Sequence, residues 1–316
     1  MALIASLTAC GASLQAPPGA ALQPDRQGTP VLRDLTNVPL VFVSFEANNR
    51  LGHVNIFTLP DLKLVGEITG LLHPHGECSD SAGNVYVVEH RGVFEYSHDG
   101  TQVATYLDPY GAGSWSCAVN PRNGDLAVTQ YSKGVLIYTS PSSKPILLSN
   151  PQQYNYYFAG YNEKGELWVD GSSNDGSVVS RCGASSCTTI SLTHGTIYQP
   201  GAVQWDEILH TWIVFDQSCG GFNPGACSYP VSEQGVMGAA TNYDDFNGKE
   251  VCFLAQGVVR MDKEQVVFGT DWGHGTCYGG RGNTVDRWSA KGGTPMNYAQ
   301  LTTKDSIPYG LAISIK

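Results

Sequence analysis

Apolar and polar residues fall in short runs along most of this chain, and the runs come in sets. Gly52-His53-Val54-Asn55-Ile56, Gly92-Val93-Phe94-Glu95-Tyr96, Gly134-Val135-Leu136-Ile137-Tyr138 and Gly176-Ser177-Val178 each open on glycine and read as short β-strands. Turns such as Ser97-His98-Asp99-Gly100-Thr101 lead into a further run, 102–106. An Asp or Asn recurs at the end of one strand of every set, at Asp80, Asn120, Asn162, Asp206 and Asp262, with spacings of 40, 42, 44 and 56 residues. A β-type period near forty predicts a propeller with four strands to a blade. Residues 41–70 supply only the last three strands of a blade. The missing inner strand is expected at Pro308-Tyr309-Gly310-Leu311-Ala312-Ile313-Ser314. The expected fold is therefore all-β, a six-bladed β-propeller closed by the C-terminal strand pairing with the N-terminal blade, which leaves no open sheet edge at the seam. The longer interval from 206 to 262 predicts a long loop in blade five around Cys219 and Cys227.

Composition narrows the partners. The chain has 316 residues, 41% of them hydrophobic, enough for a substantial core. Charged residues are only 15%, below the usual quarter, and glycine is abundant at 37, as many tight turns require. A formal net charge of −10 leaves no basic stripe to neutralise phosphates, so nucleic acid is excluded as a partner.

The segment Pro74-His75-Gly76-Glu77-Cys78-Ser79-Asp80-Ser81-Ala82-Gly83-Asn84-Val85-Tyr86-Val87 resembles an NHL repeat: Pro-x-Gly, an inner strand, Asp-x-x-Gly-Asn, then a β-branched strand. The pattern returns at 116–120 with Gly124-Asp125-Leu126-Ala127-Val128, and at 158–162 with Gly165-Glu166-Leu167-Trp168-Val169. Degenerate copies stand at 199–206 and 257–262. The resemblance covers roughly residues 38–316 and implies the propeller, while leaving activity open, because such folds host many functions.

The N-terminus reads as an address. Residues 1–9 form a short apolar run, too brief to span a bilayer. It ends in Leu7-Thr8-Ala9-Cys10, which resembles a bacterial lipobox. The resemblance implies a lipoprotein signal peptide over 1–9, lipidation of Cys10, and a location in the bacterial cell envelope, lipid-anchored, periplasmic or surface-exposed. Residues 10–37, rich in Ala, Pro, Gly and Gln, read as a flexible tether, so the membrane is met only through the lipid. Nine cysteines less Cys10 leave eight, an even number that suits disulfides in an oxidising compartment. The nearest-neighbour pairing is Cys78 with Cys117, Cys182 with Cys187, Cys219 with Cys227 and Cys252 with Cys277, one of the 105 connectivities open to eight cysteines.

Candidate chemistry gathers on the face where second strands turn into third strands and fourth strands lead to the next blade. Glu46, Glu89, Gln130, Asp170, Asp216 and Asp271 stand at or near the ends of second strands. His73, His75, Tyr110, Trp115, Tyr154, Tyr156, Tyr157, Tyr198 and Tyr309 precede or open first strands. Rings stack on sugars or cover cations and carboxylates anchor hydroxyl or ammonium groups, so Tyr110, Trp115, Tyr157, Tyr198 and the polar set form a candidate ligand platform for a glycan, a peptide or an envelope protein. Each polar member has a competing structural role as an acceptor for its own loop backbone. No catalytic constellation is evident. No Gly-x-Ser-x-Gly elbow is present, and His274 sits in a glycine-rich loop. The alternative is a metal-dependent lactonase or esterase resembling the six-bladed gluconolactonases, which hold a divalent cation such as Ca2+ in the central channel. Three residues before each anchor this chain offers Glu77, Cys117, Ala159, Val203 and Val259, with Leu311 equivalent, and of these only Glu77 suits a hard cation. A weaker likeness to streptogramin-inactivating propellers rests on His73-Pro74-His75-Gly76 alone. The expected protein is a monomer with no bound cofactor, a binding module of the envelope.

Overall fold

The structure, a computed structural model, describes residues 35–46, 51–111, 113–219, 225–244, 251, 257–261, 264–271, 283–302 and 307–316. Cys10, Cys252, Cys277, Asp262 and His274 lie outside the described residues. Among the described residues there is no α-helix, and the strands form six four-stranded antiparallel sheets. From the inside outward, blade 1 is Ile307–Ser314, Leu40–Glu46, Leu51–Thr58 and Lys63–Leu72. Blade 2 is Glu77–Ser79, Val85–Glu89, Gly92–Tyr96 and Gln102–Leu107, and blade 3 is Ser114–Val119, Leu126–Gln130, Gly134–Tyr138 and Ile146–Leu148. Blade 4 is Asn155–Tyr161, Leu167–Ser173, Gly176–Cys182 and Cys187–Thr189, and blade 5 is Pro200–Asp206, Thr211–Asp216, Ala226–Val231 and Thr241–Tyr243. Blade 6 is Gly257–Met261, Glu264–Asp271, Thr284–Ser289 and Asn297–Gln300. The molecule is the six-bladed β-propeller that the forty-residue period implies.

The repeating Asp or Asn has a local cause. Asp80 Oδ1 accepts hydrogen bonds from the amides of Ala82 and Asn84, both at 2.9 Å. Asn162 Oδ1 does the same for Lys164 at 3.0 Å and Glu166 at 2.8 Å, and Asp206 Oδ1 for Ile208 at 2.8 Å and Leu209 at 3.0 Å. Each of these three anchors is a side chain that folds back on its own turn and fixes the hairpin between the first and second strands.

Packing between blades explains why the second strands read as nearly continuous apolar runs. A radial sheet meets a neighbour on both faces, so Val85–Glu89 and Leu126–Gln130 are buried at every position. Trp168 and Trp212 stack between blades 4 and 5 with ring centroids 4.5 Å apart. Val41, Val43 and Phe45 join Val266 and Phe268 across the seam of blades 6 and 1. Leu35 and Val38 pack against the cluster of blades 1 and 2, so apolar packing begins before position 38.

The ring closes as the missing inner strand of blade 1 required. Ile307–Ser314 runs antiparallel to Leu40–Glu46, with Leu40 opposite Ser314 and Val43 opposite Leu311. Buried His98 of blade 2 clasps the end of that strand: Nδ1 lies 2.6 Å from Ser314 Oγ, while Nε2 meets the Leu35 carbonyl at 3.1 Å. Among the described residues three disulfides are formed. Cys78–Cys117 joins the inner strands of blades 2 and 3, Cys182–Cys187 closes a hairpin in blade 4, and Cys219–Cys227 closes the loop of blade 5.

Candidate functional site

Four successive blades each deliver one ring to the same end of the central channel. Tyr309, His75, Trp115 and Tyr157 sit at or just before the start of the inner strands of blades 1, 2, 3 and 4. Tyr131, in the turn after Leu126–Gln130, adds a fifth. The rings touch in sequence. His75 lies 4.5 Å from Trp115 and 5.1 Å from Tyr309 between centroids, Trp115 lies 5.7 Å from Tyr131 and 5.8 Å from Tyr157, and Tyr131 lies 5.7 Å from Tyr157. Tilted and edge-on contacts of this kind are the favoured aromatic geometry.

Backbone ties between blades hold the rings together. The Gly76 amide donates to the Trp115 carbonyl at 2.7 Å, and the Tyr156 amide to the Tyr131 carbonyl at 3.0 Å. Two glycines permit the approach. A Cβ on Gly76 would lie 2.8 Å from Ser116 Cα, and one on Gly310 would lie 2.2 Å from the His75 carbonyl oxygen, closer than any side chain tolerates. His75 Nδ1 donates to the Ser114 carbonyl at 3.2 Å. Burial lowers its pKa to about 4 against the opposing pull of that bond and of Glu46, so the imidazole is neutral at physiological pH and its Nε2 is an acceptor.

The polar candidates stand at or near the ends of second strands, where several bond neighbouring backbone or side chains. Glu89 Oε1 accepts from the Leu72 amide at 2.8 Å. Gln130 Nε2 donates to Asp108 Oδ2 and to Ser114 Oγ, both at 2.8 Å. Asp216 accepts from the amides of Tyr198, Gln199 and Ser218 at 2.9, 3.0 and 2.9 Å. Asp170 Oδ1 accepts from the Phe158 amide at 2.8 Å, and Oδ2 has no partner; complete burial raises its pKa well above the ordinary value, against the opposing Phe158 bond. Asp271 is likewise buried. Glu46 is the partly exposed member, and it pairs with His73 Nδ1 at 3.1 Å. Glu89 and Asp216 thus accept from backbone amides beside them, which take the nearest carboxylate oxygen, Asp170 accepts from an inner-strand amide, and Gln130 ties Asp108 to Ser114.

The aromatic candidates divide as well. Trp115 and Tyr157 lie in the central cluster. Tyr110 and Tyr198 are exposed outside it, and Tyr110 carries the Lys133 ammonium 4.8 Å above its ring. Tyr156 is buried in the packing of blades 3 and 4. Tyr131, His90, Arg91 and Lys133 were not among the sequence candidates. All four follow the last residue of a second strand, so the same turns that named Glu89 and Gln130 contained the signal.

Away from the rings, the inner strands enclose a cavity of about 450 Å³ whose walls include Glu77, Ser79, Ser116, Gln204, Asp206 and Gln265. Glu77 is buried, and neither carboxylate oxygen has a hydrogen-bond partner. Burial pushes its pKa well up, with the nearby Ala312 amide as the weaker opposing influence. The donor set does not fit the divalent cation of the lactonase resemblance. Beside Glu77 the neighbouring blades offer disulfide-bonded Cys117 and the apolar Ala159, Val203 and Leu311. Among the described residues no three His, Cys, Asp or Glu are placed to share a metal ion.

No family model matches the sequence, and no curated protein matches it. Solved structures do. A chain in the crystal structure of a nidogen/laminin complex superposes with a TM-score of 0.62 at 12% identity, covering 87% of this chain and 98% of that one. A protein of unknown function from Bacteroides caccae superposes with a TM-score of 0.64 at 13% identity, covering 88% and 100%. The chain shares their fold. At this identity the likeness speaks to architecture, and the residues of the site must be argued from their own chemistry.

Proposed function

We propose that this protein is a binding module of the bacterial cell envelope, tethered as a monomer through a lipidated Cys10, and that it engages a glycan, peptide or partner protein on the face formed by Tyr309, His75, Trp115, Tyr131 and Tyr157. The observation that carries the reading is the contiguous ring cluster, with four blades converging on one spot. Partly exposed rings in a rigid setting supply large contact area at low entropic cost. The matching chain comes from the crystal structure of a nidogen/laminin complex, so a propeller of this shape in a protein complex has a precedent. The lipobox-like segment and the NHL-like repeats fit an exported, anchored propeller and supply the address rather than the ligand.

Trp115→Ala tests the reading. Trp115 touches His75, Tyr131, Tyr157 and Tyr309, so its loss removes the centre of the patch. Central aromatic residues of this kind carry 2 kcal/mol or more, about thirtyfold in affinity. Purified wild type and variant are compared on glycan and peptide arrays and against detergent-solubilised envelope proteins. Ligands bound equally by both, with melting temperatures unchanged, place binding elsewhere. Retention of Cys10→Ser in the membrane fraction would refute the anchor.

A further inference from the structure

We infer that the channel cavity is a separate binding site, opening on the face opposite the rings, and that it takes a small aliphatic amine whose ammonium group pairs with the Glu77 carboxyl. The inference goes beyond the ring face and does not depend on it.

The wall of the cavity begins where the ring cluster ends. Gly76, Ser116, Phe158 and Gly310 line it, and each directly follows His75, Trp115, Tyr157 or Tyr309 in the chain. The rings therefore stand over one end. At the other end the wall reaches Asp206, Glu207 and Ile208 in the first turn of blade 5, and Ile315 beyond the closing strand. Glu207, Ile208 and Ile315 are exposed, so a ligand enters on that side. At about 450 Å³ the space is of a size that holds a small molecule.

The wall selects the charge of that ligand. Among the described residues its ionisable members are Glu77, Tyr161, Asp206 and Glu207, and none is basic. Arg122, Lys164 and Lys316, in neighbouring turns and at the chain end, are not part of it. Asp206 is already bonded to the amides of Ile208 and Leu209 and to Gln265. Glu77 is not bonded: a buried carboxyl with two unpartnered oxygens is costly, and a donor carried in by a ligand relieves it. A hard metal ion needs more oxygen ligands than this wall brings together. An ammonium group has three N–H donors on a compact head, and Ser79 and Ser116 stand in the same wall as Glu77 to share them. Ala118, Ala159, Val203 and Leu311 offer apolar surface to the methylenes. Pairing requires the carboxyl to ionise. Burial holds its pKa well up, opposed only by the Ala312 amide. Glu46, Tyr86, Glu89 and Tyr309, the ionisable residues on the strands packed around it, do not enter that balance. As the ammonium–carboxylate pair forms, the Glu77 proton leaves to solvent.

The test is calorimetric titration of cadaverine, and of pentanediol as its uncharged counterpart, into the full chain at pH 6 in two buffers of different ionisation heat. Cadaverine should bind at least about tenfold more tightly than the diol, and its heat should vary with buffer in the sense of a proton released. Glu77→Gln should weaken cadaverine by at least about tenfold, abolish the buffer dependence and leave the diol unchanged. Exposed carboxylates are already ionised at pH 6, so loose association with the acidic surface releases no proton. Equal affinity for amine and diol overturns the inference. Cadaverine binding without a buffer-dependent heat overturns it too, and that measurement needs no variant. Affinity lost in Glu46→Gln and kept in Glu77→Gln would put the amine among the rings and overturn the channel site. None of these outcomes touches Trp115-dependent binding at the ring face, which is read from the arrays.

Discussion

Glu77→Gln should make this protein more stable, by an amount that grows with pH. The Glu77 carboxyl is buried between strands of the channel wall with neither oxygen hydrogen-bonded, and its pKa is raised well above the ordinary value by that burial. The sign follows from which state holds the proton. Folded Glu77 stays protonated where unfolded Glu77, with an ordinary value near 4.3, has already ionised. Rising pH therefore favours the unfolded state, by about 1.4 kcal/mol per pH unit, from the unfolded value up to the raised folded one. Glutamine has no proton to lose. Its amide brings its own desolvation, but that offset does not change with pH. Asp170 titrates in the same direction in both proteins and cancels in the difference. Unfolding free energies from urea titrations, disulfides intact, would be measured for both chains at half-unit steps from pH 4 to pH 7. The gap between variant and wild type should grow slowly near pH 4, where unfolded Glu77 is only partly ionised, and then widen by about 1.4 kcal/mol between pH 5 and pH 6. A gap that runs parallel to the pH axis would mean that the Glu77 carboxyl reaches water in the folded protein, and the account of the channel wall would be wrong.

Two further outcomes bear on closure. Ending the chain at Ile307 removes Leu311 and Ile313, both buried, whose transfer from water is worth roughly 3–6 kcal/mol together, so the truncated protein should melt roughly 5–10 °C lower; an unchanged melting temperature in calorimetry would refute the seam. Replacing Cys78 and Cys117 together by serine opens a loop of sequence separation 39 and should cost about 4 kcal/mol on the chain-entropy account; a loss under about 1 kcal/mol by denaturant titration would show that the blades are held together without that bond.

The architecture was legible in the chain because each repeat has a chemical reason to recur. Asp80, Asn162 and Asp206 cap their own turns, so the hairpin is encoded within a few residues and shows as a period. The closing strand was legible by default: residues 41–70 make three strands, and Leu40–Glu46 needs an inner neighbour. The pairing of Cys78 with Cys117 was only the nearest-neighbour choice in the sequence, and the folded chain shows why it forms: the two fall on successive inner strands. The polar ring was harder to interpret. Asp216 at the end of a strand looks the same in sequence whether it faces solvent or takes three loop amides, since the amides of Tyr198, Gln199 and Ser218 become neighbours only through the curvature of blade 5. Tyr131 escaped notice for the opposite reason. It lies in a turn, and only the meeting of blades 3 and 4 shows that its ring completes the cluster with Trp115 and Tyr157.

Pairing of the latest-made described strand with the earliest has a consequence for biogenesis. A ribosome releases Leu40–Glu46 before any other described strand and Ile307–Ser314 after all of them. Throughout elongation the nascent chain therefore carries a sticky β-edge whose rightful partner has not been translated. Export in an unfolded form, followed by collapse once the whole polypeptide has crossed, would shelter that edge. Whatever delays folding until the last strand has been made therefore protects that edge.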